Sequence, residues 1–292
     1  MTWGDIFKRY AGTLEPIATG FTPSGSPRHP VKALLFDVYG TLFVSASGDL
    51  GGIRDTGAAD NGNDARESGK RLSALASEHG STLSPQKLLK AFIRGVENEH
   101  QNLKKRGMDY PEVQVDRIWK KIIGFEDIEQ ARRFALSFEL IINPVHPMPH
   151  AGRMLARVHG SGVKTGIISN AQFYTPLMFE YFFGRRPENM GFDPALLVYS
   201  YREGPSKPSP VLFGKAAGKL SEYGVRPENV LFVGNDMLND ILPARAIGFQ
   251  TALFAGDKRS LRLRRDNPCC RDIIPDMVIT DLSQLPAMAG IG

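Results

Sequence analysis

The chain has 292 residues, 42% hydrophobic and 23% charged, with a net charge of +5 and a pI near 9.2, and a chain of that length buries a full core without disulfide or metal staples. No apolar run approaches the roughly 20 residues that span a bilayer, and the start, MTWGDIFKRYAGTLEPIATGF, breaks its apolar pattern with Asp5, Lys8 and Arg9, unlike the h-region of a signal peptide. The cysteines are only the adjacent Cys269 and Cys270, which excludes a zinc or disulfide framework and leads us to expect a cytoplasmic protein.

Residues 1–30 read as an N-terminal extension, with a short helix near Trp3 to Tyr10 and then the loop FTPSGSPRHP. From Val31 to Phe36 the chain is almost wholly apolar, as a strand covered on both faces is, and it runs into LLFDVYGTLF, where Asp37 precedes a break at Gly40-Thr41. Three similar runs follow, Thr165 to Ser169, Val230 to Gly234 and Gln250 to Phe254, separated by segments with helical periodicity. This alternation predicts an α/β fold built on a doubly wound parallel sheet.

More than 100 residues separate the first strand from the second, far more than a crossover needs. Residues 31–44 and 145–292 are therefore expected to form the core, with 45–144 as an inserted helical domain. The insertion opens with a Gly-, Asp- and Asn-rich stretch at 45–64, expected to be a flexible loop. Ser84-Pro85 then supplies a helix N-cap and N1 proline, and Leu88, Leu89, Phe92, Ile93 and Val96 form one apolar stripe. Amphipathic segments near Pro111 to Ile123 and Ile128 to Ile142 complete a helical bundle. His146 and His150, flanked by prolines and without a third ligand at motif spacing, read as linker residues. The basic run Lys258 to Arg265 lacks interleaved aromatics and reads as a solvated helix face, so nucleic acid is not expected as a partner. Nor is a membrane; the positive charge suits a small anionic substrate, and the oligomeric state is left open.

In open α/β sheets ligands bind outside the carboxyl ends of the strands. Four groups fall there: Asp37; Ser169 with Asn170; Lys207, in the turn before a helix starting near Ser209; and the acids of GNDMLND, Asp236 and Asp240. Acids at i and i+4 of a helix start lie on one side, and clustered carboxylates repel unless a cation lies between them.

The order Asp-x-x-Gly-Thr, Ser, Lys and paired acids resembles the haloacid dehalogenase-like hydrolase superfamily, over about residues 31 to 285, with the insertion similar to its helical cap. The resemblance implies that Asp37 attacks a phosphoryl group and forms an aspartyl-phosphate. It further implies that Mg²⁺ is held by Asp37, the backbone carbonyl of Tyr39, Asp236 and Asp240, and that Thr41, Ser169, Asn170 and Lys207 bind substrate, with Ser169 and Lys207 also assisting catalysis.

One position departs from the phosphatase pattern: Tyr39 stands where phosphatases of the superfamily carry an acid that protonates the leaving group. Asp-x-Tyr-Gly-Thr is similar to the metal-independent 2-haloacid dehalogenases, yet those lack the first acid of the pair that is present here. Two acids beside Asp37 demand a cation, which favours a Mg²⁺-dependent phosphatase. The alternatives are a metal-independent 2-haloacid dehalogenase and a catalytically reduced binding or regulatory protein on the same fold.

Overall fold

A computed structural model describes residues 1–46 and 62–291, and most of the loop expected at 45–64 lies outside the described residues. Contacts divide the chain into two compact units, Met1–Leu14 with Ala46–Val145, and Glu15–Ser45 with His146–Gly292. The leading 30 residues, expected as a single extension, are thus shared between them.

The first unit is helical. Helix α1 (Trp3–Tyr10) starts in a capping box, Thr2 accepting from the Asp5 N–H while Asp5 accepts from the Thr2 N–H. Among the described residues four further helices follow, α2 (Gly62–Glu78), α3 (Pro85–Lys105), α4 (Val115–Ile123) and α5 (Ile128–Ile142). Ser84 caps α3 as expected, its hydroxyl accepting from the Lys87 N–H. Of the predicted stripe, Leu88, Phe92 and Val96 are buried, one per helical turn, while Leu89 and Ile93 flank them half-buried. The centre is aromatic: Trp119 stacks on Phe92 at 5.0 Å and meets Phe134 and Phe138 at 4.7 and 4.5 Å. Helix α1 buries Ile6, Phe7 and Tyr10 against this bundle, and Arg9 forms a two-pronged ion pair with Glu78.

His79, at the end of α2, packs edge-on to Phe125 and Phe134, and burial pulls its pKa below the ordinary histidine value. The folded state therefore binds that proton less readily than the unfolded chain. His79 costs nothing above the unfolded pKa of about 6.5, and stability is lost as pH falls through that value toward the lower folded one. His79→Phe is expected to flatten urea stability between neutral and mildly acidic pH. An unchanged pH slope in the variant would contradict this.

The second unit carries a seven-stranded sheet in the order β1-β9-β8-β7-β2-β5-β6. In chain order the strands are β1 (Ser24–Gly25), β2 (Ala33–Phe36), then β3 (Phe43–Ser45) and β4 (Val145–Pro147) outside this sheet, β5 (Lys164–Ser169), β6 (Phe192–Tyr199), β7 (Val230–Gly234), β8 (Gln250–Phe254) and β9 (Met277–Ile279). All neighbours in the sheet are parallel except the short edge strand β1. The chain leaves β2 toward β5 and β6, then returns to β7 and proceeds outward the other way, so the order reverses beside β2. That reversal is the point at which open α/β sheets form their ligand crevice. Leu35 and Phe232 pack beneath it against Leu212, Phe213 and Ala216 of the helix Pro210–Glu222.

The three strands of this sheet that were not predicted have reasons for being quiet. β1 and β9 are two and three residues long, and β6 contains Pro194 with two exposed positions in its middle. Residues 15–25 lie along the edge of this unit, with the Ile17 N–H on Asp257 and the Lys258 N–H on the Ile17 carbonyl. Among the described residues no helix is long and apolar enough to cross a membrane, and both cysteines are free.

Candidate active site

The Asp37 N–H still donates to the Val233 carbonyl at 2.9 Å, so the ladder between β2 and β7 pins this residue one step beyond the strand end. Its Oδ1 accepts from the Ser169 hydroxyl at the end of β5 (2.9 Å) and from Lys207 Nζ (2.6 Å). Its Oδ2 has no hydrogen-bond partner among the described residues, although the residue is only 6% exposed. Lys207 Nζ also donates to Asp240 Oδ1 at 2.5 Å, and the other Asp240 oxygen accepts from the N–H groups of Asn235 and Asp236, both at 3.0 Å. Ser169, Lys207, Asp37 and Asp240 are thus brought together in one buried cluster.

Burial by itself would lower the Lys207 pKa, but the carboxylates of Asp240 and Asp37 outweigh it and hold the ammonium well above an ordinary lysine. With both acids ionised, two negative charges face one positive charge.

The structure places four of the predicted features in settings of their own. Asp236 lies near enough to Asp240 to raise its carboxyl, as Asp37 does, but it is not free to share a cation with them: both its oxygens are held by Arg264, at 3.1 and 2.6 Å, and it accepts from the N–H groups of Leu238 and Asn239. Among the described residues no group of three acids, histidines or cysteines is placed to hold a metal. The physical reason is backbone conformation. Asp236 is still extended (φ −119°, ψ 119°) and caps a π-turn over Met237–Ile241, so the helical i, i+4 relation does not apply to it. In an extended stretch side chains alternate, and it is Asn235 that turns toward the Asp37 loop.

The second is Thr41, whose fully buried hydroxyl donates to Asn235 Oδ1 at 3.0 Å. Asn170 is the third: its amide donates to the Lys207 carbonyl (3.3 Å) and accepts from the Lys207 N–H (2.6 Å), so it positions the lysine. The basic run Lys258 to Arg265 is the fourth, being a loop rather than a helix face. Its backbone pairs with Asn235 and Met237, and it delivers Arg264 to Asp236.

Sequence reasoning missed Asn235, which ties Thr41 to the Ser260 carbonyl (2.7 Å) and so joins the Asp37 loop to the basic loop. Gly40 makes that approach feasible: it has φ +83°, and a Cβ there would lie 2.6 Å from Asn235 Nδ2. Gly234 has the same role behind Asp240, whose Cγ would stand 2.5 Å from a Cβ.

Residues 31–248 match the family model described as haloacid dehalogenase-like hydrolase. The chain belongs to that family. A haloacid dehalogenase-like phosphatase from Thermococcus onnurineus superposes with a TM-score of 0.53 at 17% identity, over 89% of this chain and 99% of that one. A 2-haloacid dehalogenase from Pseudomonas syringae pv. Tomato DC3000 gives 0.53 at 19% identity, over 88% and 97%. These two likenesses show the shared fold. In sequence the chain is 31% identical over 140 residues to a glyceraldehyde 3-phosphate phosphatase of Pyrococcus furiosus, covering 47% of this chain and 52% of the relative. It thus spans about half the length of the curated relative that it matches.

Within this haloacid dehalogenase-like hydrolase the Tyr39 side chain is tethered. Its hydroxyl is 2.8 Å from Thr175 Oγ1 and 3.5 Å from Met178 Sδ, both on the helix Thr175–Phe183. A phenol with a pKa near 10 is in any case a weak proton donor at neutral pH. Tyr39→Phe is expected to change kcat by less than about threefold, since the lost hydrogen bond costs about 1 kcal/mol of stability. Loss of all turnover in Tyr39→Phe with an unchanged Tm would give the hydroxyl a direct chemical role.

Proposed function

We propose that this haloacid dehalogenase-like hydrolase is a Mg²⁺-dependent phosphatase acting on small phosphorylated substrates, with Asp37 as nucleophile. The observation that carries it is the open Oδ2 of Asp37, while Oδ1 is anchored by Ser169 and Lys207. Two supports are added by the relative named as a glyceraldehyde 3-phosphate phosphatase and by the positive net charge.

Asp37 Oδ2 attacks phosphorus in line, the bond to the leaving oxygen breaks, and that oxygen takes its proton from water. Water then attacks the phosphorus of the aspartyl-phosphate, which releases phosphate and restores the carboxylate. Lys207 and the Ser169 hydroxyl keep the carboxylate aimed and place positive charge beside the transferring group, the largest contribution in phosphoryl transfer. Tyr39 offers no acid at this point, so aryl and acyl phosphates are the favoured substrates, their leaving groups needing little protonation.

The available donors fit Mg²⁺ in atom type and charge at Asp37 and at the Tyr39 carbonyl, with Asp240 behind them. Mg²⁺ takes oxygen ligands and keeps several waters. Asp236 is left out of this set while Arg264 holds it. The ion, when bound, supplies divalent charge against the phosphoryl oxygens.

One specific observation favours the dehalogenase reading: the cation between Asp37 and Asp240 is already Lys207, and Asp236 is paired off. The readings separate in one experiment. Hydrolysis of 4-nitrophenyl phosphate should fall by at least about 10²-fold in EDTA and return with Mg²⁺. Chloride release from 2-chloropropionate that persists in EDTA would replace the phosphatase by a dehalogenase.

A further inference from the structure

The stretch Leu261-Arg262-Leu263-Arg264 alternates apolar and basic residues and lies alongside the turn that follows β7. The Arg262 N–H donates to the Asn235 carbonyl (3.0 Å) and the Met237 N–H to the Arg262 carbonyl (2.9 Å). Leu261 and Leu263 pack against the buried cluster of Met237, Ile241, Leu253 and Cys270. Arg264 then takes a left-handed backbone, φ +52°, which an L-residue adopts only where its surroundings impose it.

Asp236 does not need Arg264 in order to cap its turn. Its carboxylate already accepts from the N–H groups of Leu238 (2.9 Å) and Asn239 (3.3 Å) and from the Asn239 side-chain amide (2.9 Å). Arg264 adds Nε and Nη2 as a fork, which fixes direction as well as supplying charge. What the turn holds is Asp240. The Asp236 N–H donates to Asp240 Oδ2 (3.0 Å), and the Asp236 carbonyl accepts from the N–H groups of Asp240 (2.9 Å) and Ile241 (3.2 Å). Asp240 Oδ1 in turn accepts from Lys207 Nζ, which reaches Asp37 Oδ1 at 2.6 Å. Each step from Arg264 to Asp37 is therefore a direct contact, and it passes through a π-turn, a rare conformation concentrated at functional sites.

We propose that Asp236 and Arg264 are a positioning pair for the reaction. The fork fixes the turn over Met237–Ile241, the turn fixes Asp240, and Asp240 fixes the ammonium that aims Asp37. Asp236 acts through these neighbours and is not a ligand. The effect on turnover rests on the reading of Asp37 as nucleophile; the hold on the turn does not.

The test compares Asp236→Asn, Arg264→Gln, Arg264→Lys and the double variant Asp236→Asn with Arg264→Gln in the full chain. The readouts are steady-state kinetics with 4-nitrophenyl phosphate, amide hydrogen exchange over residues 235–241, which needs no substrate, and the thermal midpoint. Asp236→Asn keeps an oxygen for the cap but turns an N–H₂ toward the guanidinium, so the fork breaks. Asp236→Asn and Arg264→Gln are each expected to lower kcat by about 10- to 100-fold with KM changed by less than about threefold, as misplacement of a reacting group does. The double variant should lose no more than the worse single, because both changes break one interaction. Exchange should quicken by at least about tenfold in all three. Arg264→Lys, which keeps the charge without the fork, should recover only part of either effect. If Asp236→Asn does not fold, Arg264→Gln and Arg264→Lys decide, since that side chain is 32% exposed. Unchanged exchange, faster exchange with unchanged kcat, or losses that add in the double variant would each overturn the proposal. So would a loss in Asp236→Asn at least about tenfold beyond that in Arg264→Gln, which would give Asp236 a chemical role of its own. A wild type without phosphatase turnover would overturn the reading of Asp37, and exchange alone would then decide whether the fork holds the turn.

Discussion

Asp37→Asn is expected to lower turnover by at least about 10⁴-fold, because in the proposed mechanism Asp37 is the nucleophile on which both halves of the reaction rest. The amide is nearly isosteric, and its oxygen still accepts from Ser169 and Lys207 in the place of Oδ1. Binding and fold are therefore expected to survive the change. It also removes one of the two acids crowded about a single ammonium, so Tm should move little. The measurement is kcat for 4-nitrophenyl phosphate beside the thermal midpoint, with mass spectrometry of acid-quenched enzyme to find a phosphoryl adduct on Asp37 in the wild type alone. A loss of less than about tenfold in a folded variant would remove Asp37 as nucleophile.

Lys207→Met is expected to have the largest effect on stability. The substitution fills similar volume but leaves the carboxylates of Asp37 and Asp240 facing each other in a site where Asp240 is 1% exposed. Breaking a buried ion pair by removing one partner costs about 3–5 kcal/mol. Burial already pushes the Asp240 carboxyl up to about 7 with Lys207 present, and without the ammonium the pull toward its charged form is gone. An acid whose folded pKa is raised contributes stability that is complete below its unfolded pKa of about 3.9 and is lost as pH rises through the folded value. The deficit relative to wild type should thus be greatest at alkaline pH and shrink on acidification, and activity should be lost at every pH. Urea titrations at mildly acidic and mildly alkaline pH measure it. A deficit that is equal at both, or absent, would show that Lys207 is not the cation the two acids depend on.

Much of the architecture was legible because it follows from local rules. Apolar runs of four to six residues ending in Asp37, Ser169 and Gly234 announce strands buried on both faces. Ser84-Pro85 and Ser209-Pro210 announce helix starts, and both serines do cap their helices. Because strand ends define the crevice, the gathering of Asp37, Ser169, Lys207 and Asp240 followed from the same reading. What was not legible depended on partners distant in sequence. Arg264 looked like one arginine in a solvated run, and only the fold sets it on Asp236, 28 residues earlier. Helix α1 looked like an appendage, and only packing shows it closing the helical unit.

The sequence by itself determined the strand and helix pattern, the strand-end placement of the chemical groups and the family motif, because periodicity, capping and order along the chain are local properties. Only the tertiary structure decided which acid faces which cation. A backbone turn of one residue separates Asn235, which reaches Thr41, from Asp236, which reaches Arg264. Lys207 holds Asp37 and Asp240 across separations of 170 and 33 residues. Charge pairing is set by distance and desolvation in three dimensions, and neither is a property of spacing along the chain.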